Sequence, residues 1–293
     1  MDNEYTVIGK PRPIGDAALK VTGQKIYVGD MELPGMLYAK VLLSTVPHAR
    51  IKSIDTSVAE ALPGVKAVAT YKNTPQVRYN SAVSSQALKL PDTERIFDDT
   101  VRFVGDRVAA VAAESPDIAK KAVNLIKVEY EALPVITDVE EAIKPEAWPI
   151  HEGGNIVGTS RAEAGNVDEA FQECDYVFED RYTTQAIHHA AIEPHVAIAD
   201  FAPNGKLTIY SPCQNTFAFR VIMSRIFGLS YNRIRMVAPA IGGAFGGKLE
   251  VTVEPVAAVL SQMTGKPVKV EYNRKESILS TRAVSYTHLT LPT

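Results

Sequence analysis

Ile241-Gly242-Gly243-Ala244-Phe245-Gly246-Gly247-Lys248 is the stretch on which the reading of this chain turns. It follows an apolar run, Ile234 to Ile241, so the sequence predicts a strand that empties into a glycine-dense loop. Four glycines around one aromatic allow a tight bend and a close backbone approach to a ligand, because glycine has no Cβ to obstruct either. Several N–H groups then face one point, an anion cradle suited to phosphates or metal-bound oxygens. A ligand-free turn does not need so much glycine, whose chain entropy is costly.

The 293 residues suffice for about two domains. With 46% hydrophobic and 22% charged residues, the composition is that of a globular protein with a sizeable core. A net charge of −3 and no long basic run argue against nucleic acid or an anionic membrane as partner. No apolar stretch nears the ~18 residues of a membrane span, and Met1-Asp2-Asn3-Glu4-Tyr5 has no apolar signal core. The expectation is a soluble, cytoplasmic protein. Cys174 and Cys213 are the only cysteines, unfit in number and spacing for an iron–sulfur cluster or structural zinc. They are expected as buried small hydrophobes rather than a disulfide.

Outward from the loop, Thr216–Phe227 carries Phe219, Ile222, Met223 and Ile226 at helical spacing, with Gly228 as C-terminal cap. Tyr176–Thr184, His195–Phe201 and Leu207–Tyr210 alternate as strands, the last two separated by the Asn204-Gly205 turn. Beyond the loop a helix is predicted over Glu250–Met263, with Pro255 in its first turns and Gly265 closing it, then a strand over Val268–Tyr272. Residues 138–160 hold Pro145, Pro149, Gly153, Gly154, Gly158 and the only tryptophan, Trp148, and read as a surface connection. Before them, Met36–Leu43, Val65–Thr70 and the second half of Val104–Ala113 read as strands. Ser115-Pro116 opens a helix over Asp117–Leu125, and Ile126–Tyr130 returns as a strand, a β-α-β pattern. The fold class is α+β, organised as an arm (1–17), a small α/β domain (18–137), a linker (138–160) and an incomplete α+β domain (161–283).

Two identities compete for the loop. Gly242 to Lys248 meets most of a G-x-x-x-x-G-K phosphate loop between strand and helix, but Leu249 stands where a hydroxyl should reach Mg²⁺. A P-loop nucleotide-binding protein is therefore the alternative. Gly-Gly-Ala-Phe-Gly-Gly-Lys instead resembles the molybdenum-cofactor loop of the xanthine dehydrogenase and aldehyde oxidase family. Other stretches join it. Ser44-Thr45-Val46-Pro47-His48-Ala49-Arg50-Ile51, Ile54-Asp55 and Leu62-Pro63-Gly64-Val65 resemble the start of that family's small hammerhead domain. Val104-Gly105-Asp106-Arg107-Val108-Ala109-Ala110-Val111 and Val128-Glu129-Tyr130-Glu131-Ala132-Leu133-Pro134 resemble its end. Ile192-Glu193-Pro194-His195-Val196-Ala197 and Cys213-Gln214-Asn215-Thr216 resemble the first part of its molybdopterin-binding domain. In order, the match runs over about residues 8–282.

The resemblance implies cofactor-binding roles for Gln214, Gly243, Ala244, Phe245 and Gly246. Gln214 would hydrogen-bond an oxygen ligand of molybdenum, its amide giving a donor without a competing metal ligand. Phe245 would lie beside the metal, exclude water and wall the substrate channel. Neither is a direct ligand. Lys248 would hold the anionic pterin or the loop itself. Arg282 falls where the family places a substrate-facing arginine that could polarise a carbonyl. Leu249 takes the place of the acidic residue of purine-hydroxylating members, which weakens the case for xanthine; Glu250, one residue on, is expected on a different helix face. His188, His189, Glu193 and His195 are expected in structural hydrogen bonds, with the two adjacent histidines on opposite sides of a strand.

The resemblance further implies the N-terminal portion of a large, molybdenum-binding subunit. The parent would be a xanthine dehydrogenase-like hydroxylase that oxidises a purine-like aromatic heterocycle or an aldehyde with water as oxygen source; carbon monoxide oxidation, aromatic thioester reduction and a non-catalytic scaffold are the alternatives. The cofactor would be molybdenum–molybdopterin in its cytosine dinucleotide form, with [2Fe–2S] clusters and FAD on partner subunits. The family's general-base glutamate lies beyond residue 293, so no catalytic residue is assigned. Residues 284–293 read as non-native, and the chain is expected to be a truncated piece that alone is inactive and holds cofactor poorly.

Overall fold

The unbroken apolar run within Arg107–Ala113 forms a strand buried on both faces, as a strand with neighbours on each side and layers above and below must be. The computed structural model, which describes residues 5–82 and 90–282, places it inside a seven-stranded mixed sheet. The strands are β1 (Leu37–Leu43), β2 (Ala49–Asp55), β3 (Val65–Thr70), β4 (Thr100–Val101), β5 (Arg107–Ala113), β6 (Lys127–Ala132), β7 (Val196–Phe201), β8 (Leu207–Tyr210), β9 (Ile234–Val237) and β10 (Val268–Glu271). The helices are α1 (Ala17–Val21), α2 (Ser57–Glu60), α3 (Pro116–Val123), α4 (Val139–Ala142), α5 (Val167–Glu173), α6 (Thr216–Phe227), α7 (Glu254–Thr264) and α8 (Arg274–Ser280).

The large sheet has the order β3-β5-β1-β10-β7-β8-β9, and a small sheet has the order β4-β2-β6. β1 pairs in parallel with β10, Leu37 opposite Val268 and Ala39 opposite Val270, so one ladder joins early and late parts of the chain. The main core follows that seam, with Leu37, Ala39 and Ala112 packed with Val256, Leu260, Val268 and Val270. Helix α7 is buried from Glu254 to Ser261, the position an apolar helix must take. Val259 and Leu260, almost without solvent contact, each contribute about 1.5–3 kcal/mol by burial. A second core lies where α3 covers β5 and the small sheet, with Ile51, Ile54, Ala122 and Val123.

Caps set the ends of these helices. Ser115 Oγ accepts from the Ile118 N–H to start α3, and Asn215 accepts from the Ala218 N–H to start α6. Gly228 and Gly265, both at φ 63°, close α6 and α7 in the left-handed conformation. Both fall where the sequence puts them.

Several expectations are corrected. Tyr176–Thr184 forms no strand; its alternating side chains have no neighbouring ladder, and Tyr176, Phe178 and Tyr182 are exposed. The predicted β-α-β unit is divided, because β5 joins the large sheet and β6 pairs antiparallel with β2 in the small one. β9 stops at Val237, short of Ile241, since Pro239 has no N–H for a ladder. The helix predicted from Glu250 begins at Glu254, which places Pro255 in the first turn. The linker contains a short helix, α4, and α1 begins at the last residue of the arm. Cys174 is exposed and Cys213 buried, and both are free thiols. The tail expected to be non-native, 284–293, lies outside the described residues.

Gly105, in the turn before β5, binds the early part of the chain to α8. At φ 106°, its ideal Cβ would lie 2.1 Å from the Leu279 carbonyl oxygen. Gly105→Ala is expected to cost at least about 2 kcal/mol in urea unfolding. An unchanged midpoint would contradict that close approach.

Candidate functional site

Sheet pairing builds the site. β8 and β9 run parallel, Tyr210 opposite Val237, so the chain leaves both strands at the same edge. The Ser211 N–H extends the pairing to the Val237 carbonyl at 3.0 Å. Three residues on, the Gln214 N–H donates to the Lys248 carbonyl at 3.0 Å, and the Lys248 N–H donates to Gln214 Oε1 at 3.2 Å. Gln214 is thereby fastened to the last residue of the glycine loop.

Beneath the loop lies the segment leading into β7. The Glu193 N–H donates to the Gly242 carbonyl at 3.0 Å. Glu193 Oε2 accepts from the Gly242 N–H at 2.7 Å and from Lys248 Nζ at 2.8 Å. Lys248 is 3% exposed, and burial pulls its ammonium below the ordinary lysine value while Glu193 pulls it back. The His195 imidazole donates Nε2–H to the Gly247 carbonyl at 2.9 Å. Burial, against the opposing effect of that carbonyl, lowers His195 to about 4, so the ring is neutral near pH 7. His189 fills the space under Gly247, whose ideal Cβ would lie 2.8 Å from Nδ1. The adjacent histidines do not sit on opposite sides of a strand. The backbone there is irregular, with Ala190 at φ 48°, and their rings meet edge to face at 6.0 Å.

The outward face of the loop is the reverse of this tied underside. Among the described residues, no protein acceptor takes the N–H groups of Gly243, Ala244, Phe245 or Gly246, nor the Nε2 amide of Gln214. Gly243 at φ 100° and Gly246 at φ 91° turn the backbone as only glycine does readily. Phe245 also lies at positive φ, 54°, and its ring is 76% exposed. A bulky residue there is strained, a condition that collects at ligand clamps. The site therefore presents donors and no carboxylate, a set that fits an oxygen-rich anion. Among the described residues no three His, Cys, Asp or Glu side chains gather as metal ligands.

Arg282 occupies a different place. It lines a cavity of about 390 Å³ between the early and late parts of the chain. Its Nε pairs with Glu250 at 2.9 Å and its Nη2 with Glu94 at 2.8 Å. No hydrogen bond or ion pair joins it to Gln214 or the loop. Glu250 precedes α7 and faces that cavity, so the expected contrast of helix faces between Leu249 and Glu250 does not arise. Burial raises the Glu250 carboxyl, with Arg282 opposing. The phosphate-loop alternative loses its lysine, since the Lys248 ammonium is turned inward to Glu193. Glu193 and His195 are the residues whose importance the sequence understates. They lie 49 and 52 residues from their loop partners, and no spacing signals the contact.

Two outcomes follow. Phe245→Gly is expected to leave thermal stability unchanged or raise it by up to about 1 kcal/mol, because the substitution relieves positive φ at an exposed ring; a clear loss would show that the ring is needed for packing. His195 makes stability depend on pH. Above the ordinary histidine value of 6.5 the ring is neutral whether folded or unfolded. Between 6.5 and about 4 the unfolded chain binds a proton that the folded ring refuses, so stability falls by up to about 3 kcal/mol. In His195→Gln that part of the acid loss should vanish from urea midpoints measured across this range. An unaltered slope would remove His195 from the account.

Comparison with known proteins identifies relatives of the chain. The family described as "Aldehyde oxidase and xanthine dehydrogenase, a/b hammerhead domain" matches residues 22–134, and "Molybdopterin cofactor-binding domain" matches residues 150–291. A probable xanthine dehydrogenase subunit of Bacillus subtilis is 40% identical over 94% of this chain and 36% of its own length. The "Nicotinate dehydrogenase large molybdopterin subunit" of Eubacterium barkeri is 38% identical over 94% of this chain and 64% of its own length. Among solved structures, the aldehyde oxidoreductase of Desulfovibrio gigas superposes with a TM-score of 0.83 at 29% identity, covering 92% of this chain and 31% of that one. The chain thus spans between about a third and two thirds of the length of these relatives. Matching a hammerhead domain and then a molybdopterin-binding domain, the chain belongs to the xanthine dehydrogenase and aldehyde oxidase family.

Proposed function

We propose that Gln214 and the loop residues Gly243, Ala244, Phe245 and Gly246 hold the molybdenum end of a molybdopterin cofactor, in a subunit that hydroxylates a heteroaromatic or aldehyde carbon. The observation that carries this reading is the run of N–H groups without acceptors, joined by a free glutamine amide, on a loop tied down from beneath. When bound, the cofactor supplies the two-electron oxidation and delivers oxygen from water. The chain's own residues orient it. Donors held by the fold stabilise negative charge with little reorganisation. Gln214 adds a donor while its Oε1 stays engaged by Lys248. Phe245, projecting beyond the loop, shields the reacting face from water and borders the substrate path.

Leu249 leaves the position after Lys248 without charge. That favours an electron-poor ring or aldehyde recognised by shape over xanthine recognised by a carboxylate. Arg282, balanced by Glu94 and Glu250, serves as a charged wall of the neighbouring cavity and meets polar substrate atoms there. Two free cysteines hold no cluster, so electrons leave through [2Fe–2S] and FAD groups on partner subunits. The cofactor is the cytosine dinucleotide form, and the assembly is cytoplasmic. Among the described residues, no helix is long and apolar enough to cross a membrane.

The test uses a protein of the relatives' length that contains this chain, produced in cells that make the cofactor. Molybdenum by mass spectrometry is expected to be stoichiometric in the parent and lost in Gly243→Val, since a β-branched residue resists φ 100°. Gln214→Ala is expected to keep its metal and lower kcat by at least about tenfold. Full loading of Gly243→Val would overturn the reading.

A further inference from the structure

We infer that Glu193 is the positioning residue of the glycine loop: a single carboxylate oxygen grips both ends of the loop and so sets where its apex points. Oε2 accepts from the Gly242 N–H at 2.7 Å and from Lys248 Nζ at 2.8 Å, the first and last residues of the bend. The loop does little to fix its own shape. Its one internal backbone bond runs from the Gly247 N–H to the Ala244 carbonyl at 2.8 Å. Gly243, Phe245 and Gly246 all stand at positive φ, and such a backbone persists only where its surroundings over-determine it. Glu193 provides that constraint. It packs so closely that an ideal Cβ on Gly242 would lie 2.6 Å from the Glu193 Cβ.

The charge on this contact has its own meaning. A buried ion pair is weak evidence for stability, because desolvation offsets its attraction, whereas a unique geometry is something it can supply. The Lys248 and Glu193 side chains are 4% and 11% exposed, so solvent screens the pair little. The inference rests on the loop being the cofactor cradle. Glu193 faces its underside and acts only through the direction of the apex N–H groups.

The test is site-resolved amide hydrogen exchange on this chain without cofactor, read at Gly247, Lys248 and Gln214. In Glu193→Ala these three amides are expected to exchange at least tenfold faster, while Ala197, Ile198 and Ala199 in β7 stay within twofold of the parent. Glu193→Gln, which keeps an acceptor at the same reach, should bring the three back to within threefold. If Glu193→Ala yields too little folded protein, Glu193→Ala with Lys248→Met removes the stranded ammonium, and the tenfold rise at Gly247 and Gln214 should persist. Unchanged loop amides, equal acceleration in β7, or no rescue by Glu193→Gln would each overturn the inference. Cofactor plays no part in this measurement, so it fails or succeeds separately from the molybdenum assay.

Discussion

One buried contact, the Lys248 ammonium against the Glu193 carboxylate, is the joint on which the functional end of this molecule depends. Removing either partner would strand a charge in a place with almost no water, and that cost is far larger than the net worth of the pair. Both residues are therefore held to one geometry. Through them the segment entering β7, Gln214 beyond β8 and the loop after β9 become a single unit. Gln214, His195 and the loop glycines have defined positions because this joint has one.

The sheet explains why the joint lies where it does. Parallel β8 and β9 release their chains at one edge, and a crevice outside the carboxyl ends of neighbouring strands is where such sheets bind ligands. Helix α7 packs behind β7 and β10 and stiffens that edge. At the other side β1 joins β10, so the hammerhead residues share a ladder with the strand next to β7. The exposed ring of Phe245 and the free N–H groups then face away from a rigid base. Polarity is divided across the loop, with Glu193 Oε2 and His195 Nε2 bonded to it beneath and the N–H groups of Gly243 to Gly246 open above.

Elements stabilised by their own residues are legible in the sequence. Helix α6 carries its apolar stripe and its Gly228 stop within one short stretch, and the structure reproduces both. The same is true of β3 and β8. The strand expected at Tyr176–Thr184 fails for the opposite reason, because alternation supplies faces but not a neighbour to bond with. β2 escapes a reading by pattern, since Ala49–Asp55 alternates only partly and gains its place by pairing with β4 and β6. Within the site, the glycines and Gln214 stand out, whereas Glu193 and His195 read as ordinary polar residues.

By itself the sequence determined the glycine loop, helices α3, α6 and the body of α7, the Ser115 cap with the Gly228 and Gly265 stops, and the likeness to the molybdenum-binding subunits, since each is written in contiguous residues. Tertiary structure alone decided that Lys248 turns inward, that Arg282 joins Glu94 and Glu250 across a cavity, and that Gln214 clasps the loop. The physical reason is range. Dihedral preference and capping act over a few residues, whereas the desolvation of a charge depends on every segment packed around it.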